Sequence, residues 1–244
     1  MRQISVDTET TGLEPSLGHK IIEIGCVELI DRKTTGNNYQ QYINPEREIE
    51  ASALEVHGIS NEFLSAKPVF ADVVEDFLEY VKGAELIIHN APFDVGFINH
   101  ELKILSETTG RNLGKIEDYC SIVDSLVLAK KKYPSKRNNL DALAERLSLT
   151  KNHLSADGTY RELHGALLDA EILADVYLLM TGGQRALSLA DQATQTSNQG
   201  PISNQKLNRQ REPLPIIKAN QDELERHRQR LDAIAKNAEL VWPQ

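Results

Sequence analysis

Apolar residues recur at every second position in the first part of the chain and at every third or fourth position further on. Strand-like alternation covers Ile4–Val6, Ile21–Ile30 and Tyr39–Ile43. From Val69 to Val81 the spacing becomes that of an amphipathic helix with acidic residues on its outer face. Three leading strands followed by mixed strands and helices predict an α/β domain with a mixed central sheet flanked by helices.

The second strand is predicted to be long, from residue 21 to residue 30. Alternation places Ile22, Ile24 and Cys26 on one face and Ile21 on the other. A turn signal at residues 36–38 makes the third strand antiparallel to the second.

Capping residues mark where the later helices begin. Asn90 follows a buried strand at residues 86–88 and is the expected N-cap of one helix, as Asn138 is of another. Residues 121–132 predict a strand end that runs into a helix. The last strong helix covers residues 166–180 and is expected to end at the glycine pair that follows.

The composition changes after residue 183. Residues 191–212 are rich in Gln, Asn, Ser, Thr and Arg and contain almost no large apolar side chains, which is typical of a flexible linker. The last thirty or so residues regain apolar spacing but are too few to bury a core. We therefore predict a folded domain at 1–183, a peptide and linker at 184–212, and a docking segment at 213–244.

The charge and the cysteines restrict the class of protein. A net charge of −9 argues against a protein that grips long nucleic acid by its surface alone. No apolar run is long enough to cross a bilayer and no secretory signal opens the chain, so a cytoplasmic protein without a membrane partner is expected. Cys26 and Cys120 match no metal-ligand spacing and are expected to be reduced core thiols.

Four acidic residues occupy positions from which a strand or helix can present them to one cleft. Asp7 follows the first strand, and the strand period places Glu9 on the same side. Asp94 lies in the first turn of a helix and Asp169 on another helix. Each position alone also fits a solvated turn or a helix N-terminus. Together the carboxylates predict a site for divalent cations, which would relieve their mutual repulsion.

His164 precedes Asp169 by five residues, a rotation of about 500° at helical pitch, so the two cannot share a helix face. They can converge only if His164 lies in the loop before the helix, and Gly165 is a natural break there. An imidazole above a metal-bound carboxylate suits a general base that takes a proton from water.

Segments 7–12, 57–59, 89–94 and 164–169 together resemble the motifs of 3′–5′ exonucleases that carry an Asp-Glu-Asp-Asp site and a catalytic histidine. The chain is most similar to those that proofread for bacterial replicative DNA polymerases, over nearly all of residues 1–184. The resemblance implies a ribonuclease-H-like exonuclease fold and the release of 3′-terminal nucleotides as mononucleotides.

The resemblance also implies roles for single residues. Asp7, Glu9 and Asp169 would bind two divalent metal ions, Mg²⁺ or Mn²⁺, while Asp94 helps to hold the second and His164 activates the attacking water.

The same resemblance assigns the terminal nucleotide of the substrate to Asp7, Glu9, Ser52, His57 and Asp169, and to the segment 8–11. Relatives often carry Glu where Ser52 stands, so the contact at that position is open.

The resemblance extends to partners. Gln184, Leu187 and Leu189 look like a peptide that binds the ring-shaped sliding clamp, and a frayed helix end is the alternative. The segment 213–244 would dock on the polymerase catalytic subunit, and the DNA 3′ end is the substrate. Whether a small theta-like accessory subunit binds stays open.

Two other functions compete with proofreading. An RNA-directed 3′–5′ exonuclease of the same fold, similar to an oligoribonuclease, would need neither the linker nor the docking tail. A non-catalytic replisome scaffold would be favoured by a missing acid, and none of the four is missing.

Overall fold

A six-stranded mixed sheet is the centre of the protein, whose computed structural model describes residues 1–149, 163–182 and 220–235. Five strands follow the spatial order β3-β2-β1-β5-β6, and β4 pairs with β2 beside them. The pairs of β1 and β3 with β2 and the pair of β2 with β4 are antiparallel, whereas β1–β5 and β5–β6 are parallel. The predicted α/β class with a mixed sheet is confirmed.

The elements have the following bounds. The strands are β1 (Arg2–Thr10), β2 (Ile21–Ile30), β3 (Lys33–Thr34), β4 (Tyr39–Tyr42), β5 (Glu85–Ile88) and β6 (Ser121–Asp124). The helices are α1 (Ala51–His57), α2 (Asn61–Ser65), α3 (Phe70–Val81), α4 (Ala91–Thr109), α5 (Ser125–Lys132), α6 (Leu140–Arg146), α7 (Ala166–Thr181) and α8 (Gln221–Ala235).

The sheet has a helical layer on each face. On one face, α3 and α4 pack against Ile4 and Val6 of β1 and form the larger core cluster. On the other face, α7 packs on β1 and β2, where it buries Val27 and Leu29. The apolar stripe predicted from Val69 to Val81 is confirmed, because every apolar residue of α3 on that stripe is buried.

A bulge in the pairing of β1 with β2 corrects one prediction about the second strand. Glu9 pairs with Glu23, but its neighbour Thr10 pairs with Ile21, so the register shifts by one residue. An extra residue in one strand reverses the alternation of its side chains. Ile21 therefore joins the core cluster that contains Ile24, and the prediction that placed Ile21 on the opposite face is wrong.

The helix after α5 begins one residue later than predicted. Asn139, not Asn138, is the N-cap of α6, and its side chain accepts from the backbone N–H of Ala142. The Asn138 side chain is buried and donates instead to the carbonyls of Tyr133 and Lys136. Both asparagines suit a cap in sequence, and the buried loop contacts decide between them.

The chain divides into two compact units, residues 1–188 and 189–244. The described part of the second unit includes α8, in which the side chains of residues 221–233 are exposed except for the half-buried Leu231. Cys26 and Cys120 are buried and form no disulfide. Within the described ranges, no helix has the length and apolar character to cross a membrane.

Helix α7 lies directly on β2 at Gly25. A Cβ at Gly25 would come within 2.2 Å of the backbone carbon of Ala166 and the backbone nitrogen of Leu167. Backbone atoms cannot move aside as the end of a flexible side chain can, so only glycine permits this approach. The first turn of α7 is thereby held against the centre of the sheet.

We expect Gly25→Ala to destabilise the protein by about 3 kcal/mol or more, because α7 must lift from the sheet. Urea unfolding followed by circular dichroism measures the loss. Gly96→Ala is the matched control, since a Cβ at this position in α4 has nothing within 4 Å. That variant should keep or slightly raise the stability. Equal stabilities of the two variants would contradict the close approach.

Candidate active site

The carboxyl end of the parallel pairing leaves one edge of the sheet open to side chains. β1 and β5 pair only as far as Val6 and Ile88, while β1 continues through Asp7 and Glu9 to Thr10 in pairing with β2. Asp7 is therefore inside a longer strand and does not follow it, which corrects the predicted strand end. Asp7 and Glu9 still lie on one side of β1, the side that faces α7.

The first turn of α7 brings Asp169 to the same place. Asp169 is buried and lies in that turn, with Gly165 as the N-cap. Glu23 of β2, also buried, accepts a hydrogen bond of 3.1 Å from the backbone N–H of Ala166. The carboxylate of Glu23 thus satisfies one of the free N–H groups at the helix start and complements the helix dipole.

His164 lies in the loop before α7 and turns back to Asp169. Its Nδ1 is 2.9 Å from Oδ2 of Asp169, and its side chain is 40% exposed whereas that of Asp169 is 5% exposed. The backbone N–H of His164 donates to the carbonyl of Val56 in α1 at 3.0 Å. The structure brings the two residues together as the break at Gly165 predicts, with one imidazole nitrogen held and the ring still open to solvent.

Glu9, His164 and Asp169 form a compact group. Each offers one ligand atom, and these atoms lie within 4.8 Å of one another. Carboxylate oxygens are the ligands that Mg²⁺ and Mn²⁺ prefer, and Glu9 and Asp169 both supply them. Asp7 is two residues away on the same side of β1, and Asp94 approaches from the other layer. The donor set therefore fits divalent cations.

Asp94 reaches the sheet edge from α4, on the face opposite to α7. Its Oδ1 accepts a hydrogen bond of 2.7 Å from the hydroxyl of Thr8, which points away from Asp7 and Glu9. Burial raises the pKa of Asp94 to about 7, the Thr8 hydrogen bond opposes the shift, and the nearby charge of Asp124 adds to it. A carboxyl group held in this way gains from a cation beside it.

Asn90 precedes α4 but does not cap it with its side chain. Its backbone is left-handed, with φ of 69°, and no side-chain cap hydrogen bond forms. The backbone N–H of Asn90 instead donates to Oδ1 of Asp124 at 3.3 Å. The position of the predicted cap is right and its mechanism is wrong, because the chain turns sharply between β5 and α4.

His57 ends α1 as a buried, neutral side chain. Its Nδ1 accepts from the backbone N–H of Ile59 at 2.9 Å, which leaves the proton on Nε2. Burial lowers the pKa of His57. The nearby backbone of Thr10 opposes part of this shift, although it is not placed to form a hydrogen bond with the imidazole. Nε2 is buried and has no hydrogen-bond partner among the described residues, whereas Ser52, near the start of α1, is exposed.

Some predicted site residues cannot be placed, and some positioning residues were not predicted. Gln184, Leu187 and Leu189 lie outside the described residues. Glu23 and Gly25 hold the start of α7, yet in the sequence they are ordinary strand residues. Thr8 belongs to the motif at 7–12, but its hydrogen bond to Asp94 was not predicted. The sequence carried one signal of these roles, which was the acid Glu23 within the apolar strand β2, since a buried carboxylate needs a hydrogen-bond partner.

The fold and this arrangement define an exonuclease. Residues 4–177 match the family model described as Exonuclease, RNase_T. The structure of exonuclease X bound to 5′-overhanging duplex DNA superimposes with a TM-score of 0.56 and 23% identity, over 74% of this chain and 91% of that one. A 3′-exonuclease that recognises the histone mRNA stem-loop gives 0.58 and 16%, over 75% and 64%. These likenesses confirm the fold.

Full-length relatives narrow the assignment. The DNA polymerase III subunit epsilon of Salmonella typhimurium is 48% identical, over 99% of this chain and 97% of its own. The subunit of the same name from Escherichia coli K12 is 45% identical over the same shares. The chain therefore belongs to the exonuclease family and, within it, to the epsilon subunits of DNA polymerase III.

The raised pKa of Asp94 predicts a pH dependence of stability in EDTA. An unfolded Asp ionises near pH 4, whereas folded Asp94 does so near 7, so its burial costs stability progressively as pH rises between these values. We expect the free energy of unfolding of Asp94→Asn, relative to that of the parent protein, to increase by up to about 4 kcal/mol from pH 4 to pH 8. Urea unfolding at both values measures the gain. The same stability difference at both values would contradict the shift.

Proposed function

We propose that this protein is the proofreading 3′–5′ exonuclease of a bacterial replicative DNA polymerase and removes mispaired 3′-terminal nucleotides as mononucleotides. The observation that carries the proposal is the contact between His164 and Asp169 beside Glu9, in a chain whose full-length relatives are epsilon subunits. Hydrolysis of a phosphodiester at a strand end requires a base, several acids and access for the substrate. All three are expected at this open edge of the sheet.

Two divalent ions, Mg²⁺ or Mn²⁺, fit the acids of the site. Asp7, Glu9 and Asp169 would hold them directly, and Asp94 would help to hold the second. When bound, the ions supply positive charge to the phosphate and to the departing 3′-oxygen. Burial of Glu9, Asp94 and Asp169 supports this assignment, because buried carboxylates lose their hydration and gain most from a cation.

His164 takes the proton of the attacking water. If Nδ1–H donates to Asp169, the lone pair lies on Nε2, and the imidazole can accept a proton there. The carboxylate of Asp169 fixes the ring orientation and stabilises the imidazolium that forms. The 40% exposure of His164 lets water reach the ring and lets the proton leave to solvent.

The terminal nucleotide would lie between the acids and α1. Asp7, Glu9 and Asp169 would meet its phosphate through the metals, and His57 and Ser52 would contact the nucleotide. The Nε2–H of His57 has no acceptor among the residues that the structure describes, which supports this contact, since a buried donor without an acceptor is costly and substrate can supply one. The exposed hydroxyl of Ser52 can donate or accept.

The tail compensates for the poor hold of an acidic domain on a DNA 3′ end. We assign 1–183 to the exonuclease domain, 184–212 to a clamp-binding peptide and linker, and 213–244 to docking on the polymerase catalytic subunit. A flexible link raises effective concentration, to about millimolar for a short tether. In support, α8 has a half-exposed Leu224 and a leucine seven residues later at Leu231. A cytoplasmic replisome is the expected setting.

RNA-directed cleavage by the same site is the alternative. The similarity to an mRNA 3′-exonuclease concerns the fold alone. Digestion of a mispaired DNA primer end and of a short RNA, compared at equal concentration, distinguishes the substrates. Faster digestion of the RNA would overturn the proofreading assignment.

We expect Asp169→Ala to abolish Mg²⁺-dependent release of mononucleotides and His164→Ala to slow it by about 10²–10⁴-fold, the usual contribution of a positioned base. Quenched-flow digestion of a labelled primer measures both rates, and circular dichroism checks the fold. Asp72→Ala, an exposed acid of α3, is the control and should keep the full rate. A nearly unchanged rate in either site variant would refute its role.

For the clamp-binding peptide, we expect Leu187→Ala with Leu189→Ala to weaken binding to a purified bacterial sliding clamp, because two apolar anchors are removed. Surface plasmon resonance with immobilised clamp measures the loss. Exonuclease rates on a free primer should not change. An unaltered affinity for the clamp would refute the assignment of residues 184–189 as a clamp-binding peptide.

A further inference from the structure

A run of positive charge lies at one side of the acidic domain. Residues 130–146 contain six Lys and Arg against two Asp and Glu, in a chain with a net charge of −9. We name three exposed members of this run, Lys130, Lys136 and Arg137, the basic strip. Its position is set by α5 and by the loop between α5 and α6.

Two adjoining clefts run along the basic strip. The first has a volume of about 520 Å³ and is lined by Lys130, Lys136, Asn90 and Asn139, among others. The second, of about 700 Å³, is lined by Lys136, Arg137 and Arg146 and by two acids, Asp141 and Glu145. Lys136 belongs to both clefts, so they form one groove in which cations outnumber acids.

Hydrogen bonds to backbone carbonyls hold the loop that carries this groove. Asn138 is buried, and its side chain donates to the carbonyl of Lys136 at 3.0 Å. Nε2 of His89 lies 2.9 Å from the carbonyl of Asn138, and Arg146 donates to the carbonyl of Arg137. The backbone of the loop is therefore fixed, and its cationic side chains are presented from a rigid support.

The cations of the basic strip are available to a ligand. Within the described ranges, the side chains of Lys130, Lys136 and Arg137 make no ion pair. Their neighbours differ, since Lys132 donates to the carbonyl of Met180 and Arg146 to backbone and side-chain oxygens of the loop. Three unpaired cations in one groove attract an anion with several charges.

The groove opens beside the candidate active site. Asn90 lines the first cleft, and Asp94 is one turn further along α4, about 6 Å along the helix axis. Asp124 connects the two places, because it accepts from the backbone of Asn90 and its charge acts on Asp94. A chain molecule that ends at the acids can continue into the groove.

We propose that the basic strip binds the backbone phosphates of the strand upstream of the 3′-terminal nucleotide. This inference rests on the proposed nuclease function and adds the path of the strand. A groove of positive charge that follows the backbone is the usual way to hold a single strand without reading its sequence. Such a path suits a site that must accept any mispaired end.

The test compares two triple variants of the full chain. Lys130→Gln/Lys136→Gln/Arg137→Gln removes the basic strip, and Lys33→Gln/Lys82→Gln/Lys103→Gln removes the same charge from exposed positions elsewhere. KM and kcat are measured at several salt concentrations on a single strand of about twelve nucleotides and on a dinucleotide.

We expect loss of the basic strip to raise KM for the longer strand about tenfold and to reduce the salt slope of log KM by about 2, for three lost phosphate contacts. KM for the dinucleotide should change less than about twofold, since it supplies no upstream phosphates to the groove. The control variant should resemble the parent on both substrates.

An unchanged KM for the longer strand, or an equal change in both triple variants, would overturn the proposal while leaving the nuclease function intact. A basic strip that affects only binding to an acidic protein partner, and not KM, would overturn it too. If the parent protein digests neither substrate, the proposed function itself fails, and with it the strand path.

Discussion

The contact between the first turn of α7 and the centre of β2 is the constraint on which the site depends. Gly25 removes the side chain that would hold the helix away, and Glu23 accepts from the backbone of Ala166. Because His164 lies just before that turn and Asp169 lies in it, their distance from Glu9 follows from this packing. Gly25 and Glu23 therefore fix where the start of α7 lies, and with it the geometry of the site.

The second constraint is electrostatic and comes from the opposite layer. Asp94 projects from α4 to Thr8, while Asp169 projects from α7 on the other face of the sheet. The two layers can meet only where the β1–β5 pairing stops, after Val6 and Ile88. Burial is the main reason why Asp94 resists ionisation there, and a divalent cation beside it would relieve that cost.

The hydrophobic pattern of the sequence was sufficient to predict an element where one face of that element is buried and the other is solvated. The stripe of α3 and the loop position of His164 follow from the period and from the break at Gly165. The pattern gave a wrong prediction where a contact with a residue distant in sequence decides the local structure. The bulge that turns Ile21 to the other face depends on pairing with β1, and the buried carbonyl contacts of Asn138 move the cap to Asn139. Neither partner is visible in the local sequence.

The meeting of Glu9, His164 and Asp169 at one place could be predicted from the sequence, and the residues that support them could not. A cluster of acids beside a histidine forms a visible motif in the sequence. Thr8 and Glu23 act through a single hydrogen bond each, which many residue types could make. Their roles depend on which helix is opposite, and only the folded chain determines that.

Charge limits how the domain can hold a phosphate backbone. Carboxylates concentrated at the sheet edge repel phosphates, and the net charge of −9 extends that repulsion over the surface. The Debye length in physiological salt is about 8 Å, so a cation placed among the acids would act only on the phosphates nearest to it. Phosphates further along a strand must therefore meet cations outside the acidic edge, and Lys130, Lys136 and Arg137 are exposed cations of this kind.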